Sequence, residues 1–259
     1  MLLANKRVAV FAACGAIGSA FARKAAEEGA TLFLSARSGE PLRLLAGELG
    51  ARDRMVDATR EEEVDSWIDS IADAAGGIDV VFNPIGPRAG EAGYARSCTR
   101  LPFEQFMLPL HLIAGSQFLT ARSAARRMIP QGSGSILMLS ASLTGIFVPF
   151  MPGITAACGA VEGLTRTMAA ELGPTGIRVN CVRVGAMPET RTIQETTTLM
   201  AKTTGSGTAA VSRANVPPLL GRSLLLSEAA ASLVWLASDE ASGIAGQVVN
   251  VCAGAVVSR

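Results

Sequence analysis

Few side chains in this sequence are equipped for acid–base or nucleophilic chemistry. Its 259 residues contain one tyrosine, Tyr94, one histidine, His111, and three lysines, Lys6, Lys24 and Lys202. Any histidine-based triad must use His111, and a multi-histidine metal centre is excluded, so no metal site is expected. His111 has the ionisation range of an acid–base group. The alternative is a histidine that pairs along its helix or faces solvent. Tyr94 lies in a polar loop, where it is either a substitute acid or an aromatic packing on that loop. The five cysteines, at 14, 98, 158, 181 and 252, are scattered and never form a Cys-x-x-Cys pair. That usage fits reduced thiols in the cytoplasm better than a disulfide framework or a zinc site. Cys158 has no base close in sequence to activate it and reads as a small buried side chain. Lys202 reads as solvated.

A second group of residues suits phosphate. Phe11-Ala12-Ala13-Cys14-Gly15-Ala16-Ile17-Gly18 joins an apolar run to a helical pattern. A turn of this kind places backbone N–H groups at a helix N-terminus, where an anion is favoured, and glycines there admit a pyrophosphate. Only Gly15 and Gly18 are present, so an ordinary tight turn is the alternative. The next apolar run ends Ser35-Ala36-Arg37-Ser38, with no acid to accept a ribose 2′-hydroxyl. Arg37 suits a 2′-phosphate, which favours NADP over NAD; a solvated surface arginine is the alternative. Asp57 would touch an adenine, or cap a turn or helix.

The elements that must hold these residues alternate along the chain. Strands are expected at 8–11, 32–34, up to about Asp57, 79–82, 135–139, 178–184 and 247–251. Helices are expected at 18–28, 41–49, 61–75, about 103–128 with a disturbance at Pro109, 153–172, and 227–237 with Ser227 as N-cap. Residues 83–102 read as a polar loop, and 186–226 as an irregular flap. This alternation implies one α/β domain over 1–259, a doubly wound parallel sheet with helices on both faces.

Composition bounds the partners. The formal charge of +1, from 23 basic and 22 acidic residues, argues against nucleic acid. Residues 130–161 carry no charge, but their prolines, glycines and serines indicate a buried strand–loop–helix rather than a membrane span. No targeting segment is expected, because Lys6 and Arg7 interrupt the apolar start.

The order and spacing of the motifs resemble the short-chain dehydrogenase/reductase family along nearly the whole chain. The carrying segments are the 11–18 turn, Asp57-Ala58-Thr59, Asn83-Pro84-Ile85-Gly86, Gly134-Ser135-Ile136-Leu137 and Ala160 to Arg166. Ala170 to Pro174, Gly176 to Asn180, Trp235 to Asp239 and Gly246 to Val251 complete the match. The resemblance implies a Rossmann-type domain with a seven-stranded parallel sheet. It also implies a homotetramer or homodimer, built on the helices near 103–128 and 153–173. A dinucleotide would meet Gly15, Ile17, Gly18, Arg37, Asp57, Asn83 and Gly86.

The same resemblance exposes a departure. In the family, a tyrosine exchanges a proton with substrate, a lysine one helical turn later lowers the phenol's pKa, and a serine thirteen residues before the tyrosine binds the substrate oxygen. The matching positions here are Ile154, Cys158 and Ala141; Ser142 would supply the missing hydroxyl if the loop shifts by one residue, and is otherwise an ordinary strand-end serine. The family's asparagine falls between Leu110 and Ile113. With Tyr94 sixty positions upstream and no lysine between Lys24 and Lys202, no register restores a Tyr–Lys pair. Two family glycines are Ala12 and Ala16, Pro84 replaces an asparagine, and Val184-Gly185 replaces Pro-Gly. The chain therefore reads as a divergent member, with NADP(H)-linked carbonyl or alcohol chemistry on a degenerate site. The alternative is a non-redox protein on the same scaffold: a pseudoenzyme subunit, a small-molecule binder, or a lyase or isomerase. The apolar flap suggests a moderately hydrophobic small molecule.

Overall fold

The computed structural model describes residues 1–214 and 218–257. In chain order the elements are β1 (Arg7–Val10), α1 (Ala16–Glu27), β2 (Thr31–Ala36), α2 (Gly39–Leu49), β3 (Arg52–Met55), α3 (Glu61–Ala75) and β4 (Val80–Phe82). Then come α4 (Phe103–Pro109), a π-helical segment (Leu110–Gly115), α5 (Ser116–Gln131), β5 (Gly134–Ala141) and α6 (Pro152–Leu172). The chain continues through β6 (Ile177–Val184), α7 (Arg191–Thr204), α8 (Thr208–Ala214), α9 (Leu226–Ala237) and β7 (Val248–Val251).

All seven strands are parallel in the order β3-β2-β1-β4-β5-β6-β7. This is the doubly wound Rossmann-type sheet. Chain order runs outward from β1 in one direction through β2 and β3, and in the other through β4. That reversal opens a crevice at the carboxyl ends of β1 and β4, where ligands bind in such sheets.

Alternating side chains divide the core in two. Ala9, Phe33, Val81, Ile136 and Val179 face α3, α5 and α6, while Val8, Val10, Leu32, Leu34 and Val182 face α1, α2 and α9. Helix α3 buries Val64, Trp67, Ile68, Ile71 and Ala72 along one stripe. Its acids face outward and meet α5 arginines, as in Arg126–Asp65 at 3.1 Å and Arg127–Asp69 at 2.7 Å. The charge-free stretch forms β5, a turn and α6, and no helix among the described residues is long and apolar enough to cross a membrane.

Two expectations are corrected. The flap is not irregular: α7 and α8 occupy much of it, and its positions 215–217 lie outside the described residues. The threonines of α7 lower its intrinsic helix propensity and hide it in the sequence. In the helix, Thr196, Thr198 and Thr204 donate to the carbonyls four residues earlier, at 2.7, 2.9 and 2.9 Å. Ser227 is not the cap of α9. The N-cap is Leu225, whose N–H donates to Glu228 Oε2 at 2.9 Å, and the Leu226 N–H donates to Glu189 Oε1 at 2.6 Å. Carboxylates satisfy the free helix donors that a serine was expected to serve. The disturbance at Pro109 is real: α4 ends there and the backbone widens into the π-helical segment.

Candidate active site

At one end of the crevice, β1 turns into α1. Ala12 sits at φ +46°, a left-handed conformation that favours glycine. Gly15 is the N-cap of α1 and offers no side-chain cap, which leaves the first N–H groups of the helix open to an anion. A Cβ at Gly18 would lie 2.6 Å from the Ala12 carbonyl oxygen and 3.1 Å from Ala13 Cα. Gly18 is therefore demanded by the approach of helix to strand, whatever binds nearby. Ala16 is exposed at the first helical position, and half-buried Ile17 packs on the core beneath.

Arg37 is exposed just past β2, close enough for its charge to act on Asp57. Burial alone would raise the Asp57 carboxyl. Hydrogen bonds from Thr59, with the charges of Arg37 and Arg60, outweigh that and hold it below the ordinary range. Asp57 Oδ1 accepts the Thr59 N–H at 3.0 Å and its hydroxyl at 2.7 Å, so that oxygen is committed to a turn. Asn83 is buried and similarly committed. Its amide donates to Ser116 Oγ at 3.1 Å and Thr120 Oγ1 at 3.3 Å, and its oxygen accepts the Ile85 N–H at 3.1 Å. Asn83 ties the exit of β4 to α5. Gly86 is exposed, with open space where a Cβ would project.

At the other end, β5 meets α6. The β5–β6 ladder runs without a slip to Ala141↔Val184. Ser142 lies one residue beyond, buried in a 3-10 turn. On α6, Ile154 and Cys158 are 8% and 2% exposed and one turn apart. Burial pushes the Cys158 thiol up to about 11, against a pull from the Ala141 backbone. Burial thus keeps the thiol largely protonated and lowers its reactivity as a nucleophile.

Tyr94 is buried at this end, whereas His111 is exposed. Tyr94 packs in one buried cluster with Met151, Ile154 and Cys158. Burial, and then the proximity of Cys158, raise the phenol's pKa above its ordinary value. The phenol is therefore a hydrogen-bond donor and a poorer proton shuttle than a free tyrosine. His111 is exposed on the π-helical segment. Its neighbour Leu112 is half-buried, and the Leu112 carbonyl accepts the Ser116 hydroxyl. Lys202 is exposed on α7.

One constellation escaped the sequence reading. Glu162, one turn past Cys158, forms a buried ion pair with Arg183 of β6. Its Oε1 accepts Ser140 Oγ at 2.9 Å, Thr144 Oγ1 at 2.6 Å and Arg183 Nε at 2.9 Å, and its Oε2 accepts Arg183 Nη2 at 2.6 Å. Arg183 Nη1 reaches Asn250 Oδ1 at 3.0 Å. The network clamps α6, the turn after β5, β6 and β7 together. Burial works to raise the Glu162 carboxyl, but the bonds from Arg183, Thr144 and Ser140 keep it below the usual range. The available signal was the i, i+4 spacing from Cys158, which places Glu162 on the inward face of α6.

A largely apolar cavity of about 590 Å³ adjoins the N-terminus of α6, lined by residues 97–98, 148–152, Thr155 and Ala156. The Ala95 N–H donates to the Phe150 carbonyl at 3.0 Å and joins its two walls.

Comparison with known proteins agrees with this architecture. A family model described as enoyl-(acyl carrier protein) reductase matches residues 12–256. (+)-Borneol dehydrogenase 1 of Salvia officinalis is 32% identical over 205 residues, covering 78% of this chain and 75% of that protein. Zerumbone synthase of Zingiber zerumbet is 31% identical over 254 residues, covering 95% and 92%. The crystal structure of an NAD+-bound xylitol dehydrogenase superposes with a TM-score of 0.89 at 28% identity, over 98% of this chain and 100% of that one. With the sheet order, the 11–18 turn and the β5–α6 corner in place, the chain belongs to the short-chain dehydrogenase/reductase family, whose matched members here are oxidoreductases.

Proposed function

We propose that this protein binds NADP(H) through the β1–β2 end of its crevice and acts on a carbonyl or alcohol without the family's Tyr–Lys proton relay. The carrying observation is the exposed Arg37 just past β2, at a position with no acid, beside the uncapped N-terminus of α1. The donor chemistry there fits an adenosine 2′-phosphate and a pyrophosphate. Gly86 leaves room for a ligand further along the crevice. Gly15 and Ile17 would contribute N–H groups, and Gly18 the close helix approach. Asp57 Oδ2 would face the adenine, while Asn83 would shape the floor. The methyls of Ala12 and Ala16 crowd the turn and weaken the fit.

When bound, a nicotinamide supplies or accepts the hydride. The chain's own residues would bind and orient the reactants and exclude water. Ala141 and Ile154 carry no transferable proton, and the Cys158 thiol, held protonated by burial, has no lysine beside it to assist a transfer. The loss of general-acid help is worth roughly 10²–10⁴ in rate. The reaction is therefore slow, or draws its proton from water. The apolar 590 Å³ cavity beside α6 supports a moderately hydrophobic small molecule as substrate.

A second reading is favoured by Ile154 and Cys158 themselves: a non-redox binder, lyase, isomerase or pseudoenzyme subunit on the same scaffold. Titration calorimetry with NADPH and NADH separates the two. Binding of NADPH in preference to NADH supports the first reading; no binding of either at millimolar concentration overturns it.

Exposed Phe103 and Met107 on α4 and Phe118 on α5 support a homodimer or homotetramer through these helices. The free cysteines fit a reducing compartment such as the cytoplasm, and the balanced charge fits a partner other than nucleic acid.

A further inference from the structure

We infer that Tyr94 is a ligand-binding residue, whose phenolic O–H donates a hydrogen bond to the carbonyl oxygen of a neutral, apolar small molecule at the β5–α6 end of the crevice. The inference deepens the proposed function. It rests on the small molecule being placed at that end, and does not depend on the cofactor.

The loop after β4 is bent to bury this ring. Gly93 at φ +65° and Ala95 at φ +64° flank Tyr94, and both are left-handed. A Cβ at Gly93 would fall 2.2 Å from Leu101 Cδ1, so the turn admits no side chain there. The Tyr94 N–H donates to the Ala89 carbonyl at 3.1 Å, and the Ala95 N–H to Phe150 at 3.0 Å, which fixes the bend on both sides. A non-glycine residue held in the left-handed region is strained, and such strain persists where surrounding structure enforces it. Thr203 of α7 donates to the Ala95 carbonyl at 2.8 Å and adds a third tie.

The result is a side chain only 7% exposed whose hydroxyl takes no hydrogen-bond partner among the described residues. The fully enclosed unpaired polar atoms among the described residues belong to Trp67, Gln105 and Arg122, so the Tyr94 oxygen meets accessible space. A hydroxyl donor that the protein leaves unpaired can donate to an acceptor supplied from outside it.

The surroundings select the ligand. Tyr94 shares its buried apolar cluster with Ile113, Met151, Ile154 and the protonated Cys158, and Cys158 is close enough to act on the phenol. The half-buried Arg183, whose charge reaches Cys158, is bonded to Glu162 and Asn250. A carboxylate or phosphate would be buried there uncompensated, which is prohibitive. A ketone or aldehyde needs only a donor, and Tyr94, kept protonated by burial, supplies one.

Because Tyr94 is the only tyrosine, protein labelled with ¹³Cζ-tyrosine gives one resonance that reports on it directly. The probes are cyclohexanone, menthone and camphor, each against its parent hydrocarbon. At least one ketone is expected to move the resonance while its hydrocarbon does not, and to bind about tenfold more tightly, equivalent to roughly 1.4 kcal/mol. Tyr94→Phe should erase that preference and leave hydrocarbon binding unchanged. An unmoved resonance with all three ketones, or a preference retained in Tyr94→Phe, overturns the inference. NADPH is titrated in parallel. Intact NADPH binding with a silent Tyr94 sinks this inference alone, and a responsive Tyr94 without NADPH binding sinks the cofactor reading alone.

Discussion

The two ends of the crevice lie on one sheet with β4 between them, yet they differ in what their residues are for. At the β1–β2 end, Arg37, the open α1 N-terminus and the Asp57 turn form a polar surface facing solvent. At the β5–α6 end, Ala141, Ile154, Cys158 and Tyr94 make an apolar corner, and its charges, Glu162 and Arg183, are satisfied by one another. Residues that the fold itself needs survive at both ends. Gly18 is required by the contact of α1 with the Ala12 backbone, and Asn83 by its bonds to α5. On the proposed reading, the positions that only chemistry would demand carry Ala141, Ile154 and Cys158. A scaffold can thus keep its sheet and a nucleotide-shaped turn while its reaction corner takes on other work.

The largest test of this contrast removes the clamp behind the corner. Glu162→Ala strands Arg183 without its partner and should cost about 3–5 kcal/mol in denaturant unfolding. The double variant with Arg183→Met should lose less than the sum of the single losses. The native Glu162 carboxyl titrates below its unfolded value. Its contribution is therefore full above the unfolded pKa and is lost as pH falls through the folded one. Glu162→Gln should flatten that acid limb of the stability profile. An unchanged limb would mean that the pair does not hold the corner together.

Next in size is restoration. Ile154→Tyr with Cys158→Lys places a phenol and an ammonium one turn apart on α6 and should raise NADPH-dependent carbonyl reduction about a hundredfold, the lower end of general-acid effects. No rise would show that the corner has lost more than this pair. Gly18→Ala should then destabilise by roughly 1–3 kcal/mol through overpacking, with or without nucleotide. A loss seen only in nucleotide affinity would contradict the structural role given to Gly18. Smallest is Ala12→Gly, which relieves a left-handed alanine but adds unfolded-chain entropy, for a net change under about 1 kcal/mol. NADPH affinity should rise slightly, since a family glycine is restored beside the turn.

The fold was legible in the sequence to within a residue or two at most elements, because apolar periodicity and helix stops such as Gly50 and Gly76 are local signals. Helix α7 was hidden, because its threonines satisfy their hydroxyls only once the helix exists. The absence of a Tyr–Lys pair could be read from composition alone. The burial of Tyr94 could not, since it depends on two left-handed bends and on bonds to residues 55 and 108 positions away, at Phe150 and Thr203. The exposure of His111 was likewise open, because an interrupted helix does not announce which face it turns outward. The Glu162–Arg183 pair joins a helix to a strand twenty-one positions away, and neither residue signals burial by itself.

The account holds that affinity for NADP(H) resides in the β1–β2 end, independently of the reaction corner. Calorimetry with adenosine 2′,5′-bisphosphate, which carries the 2′-phosphate and no nicotinamide, tests this directly. The account predicts that the fragment binds within about tenfold of NADPH, a difference of roughly 1.4 kcal/mol, and that Arg37→Ala weakens both ligands in parallel. Tight NADPH binding with no detectable fragment binding, or affinities indifferent to Arg37→Ala, would contradict it.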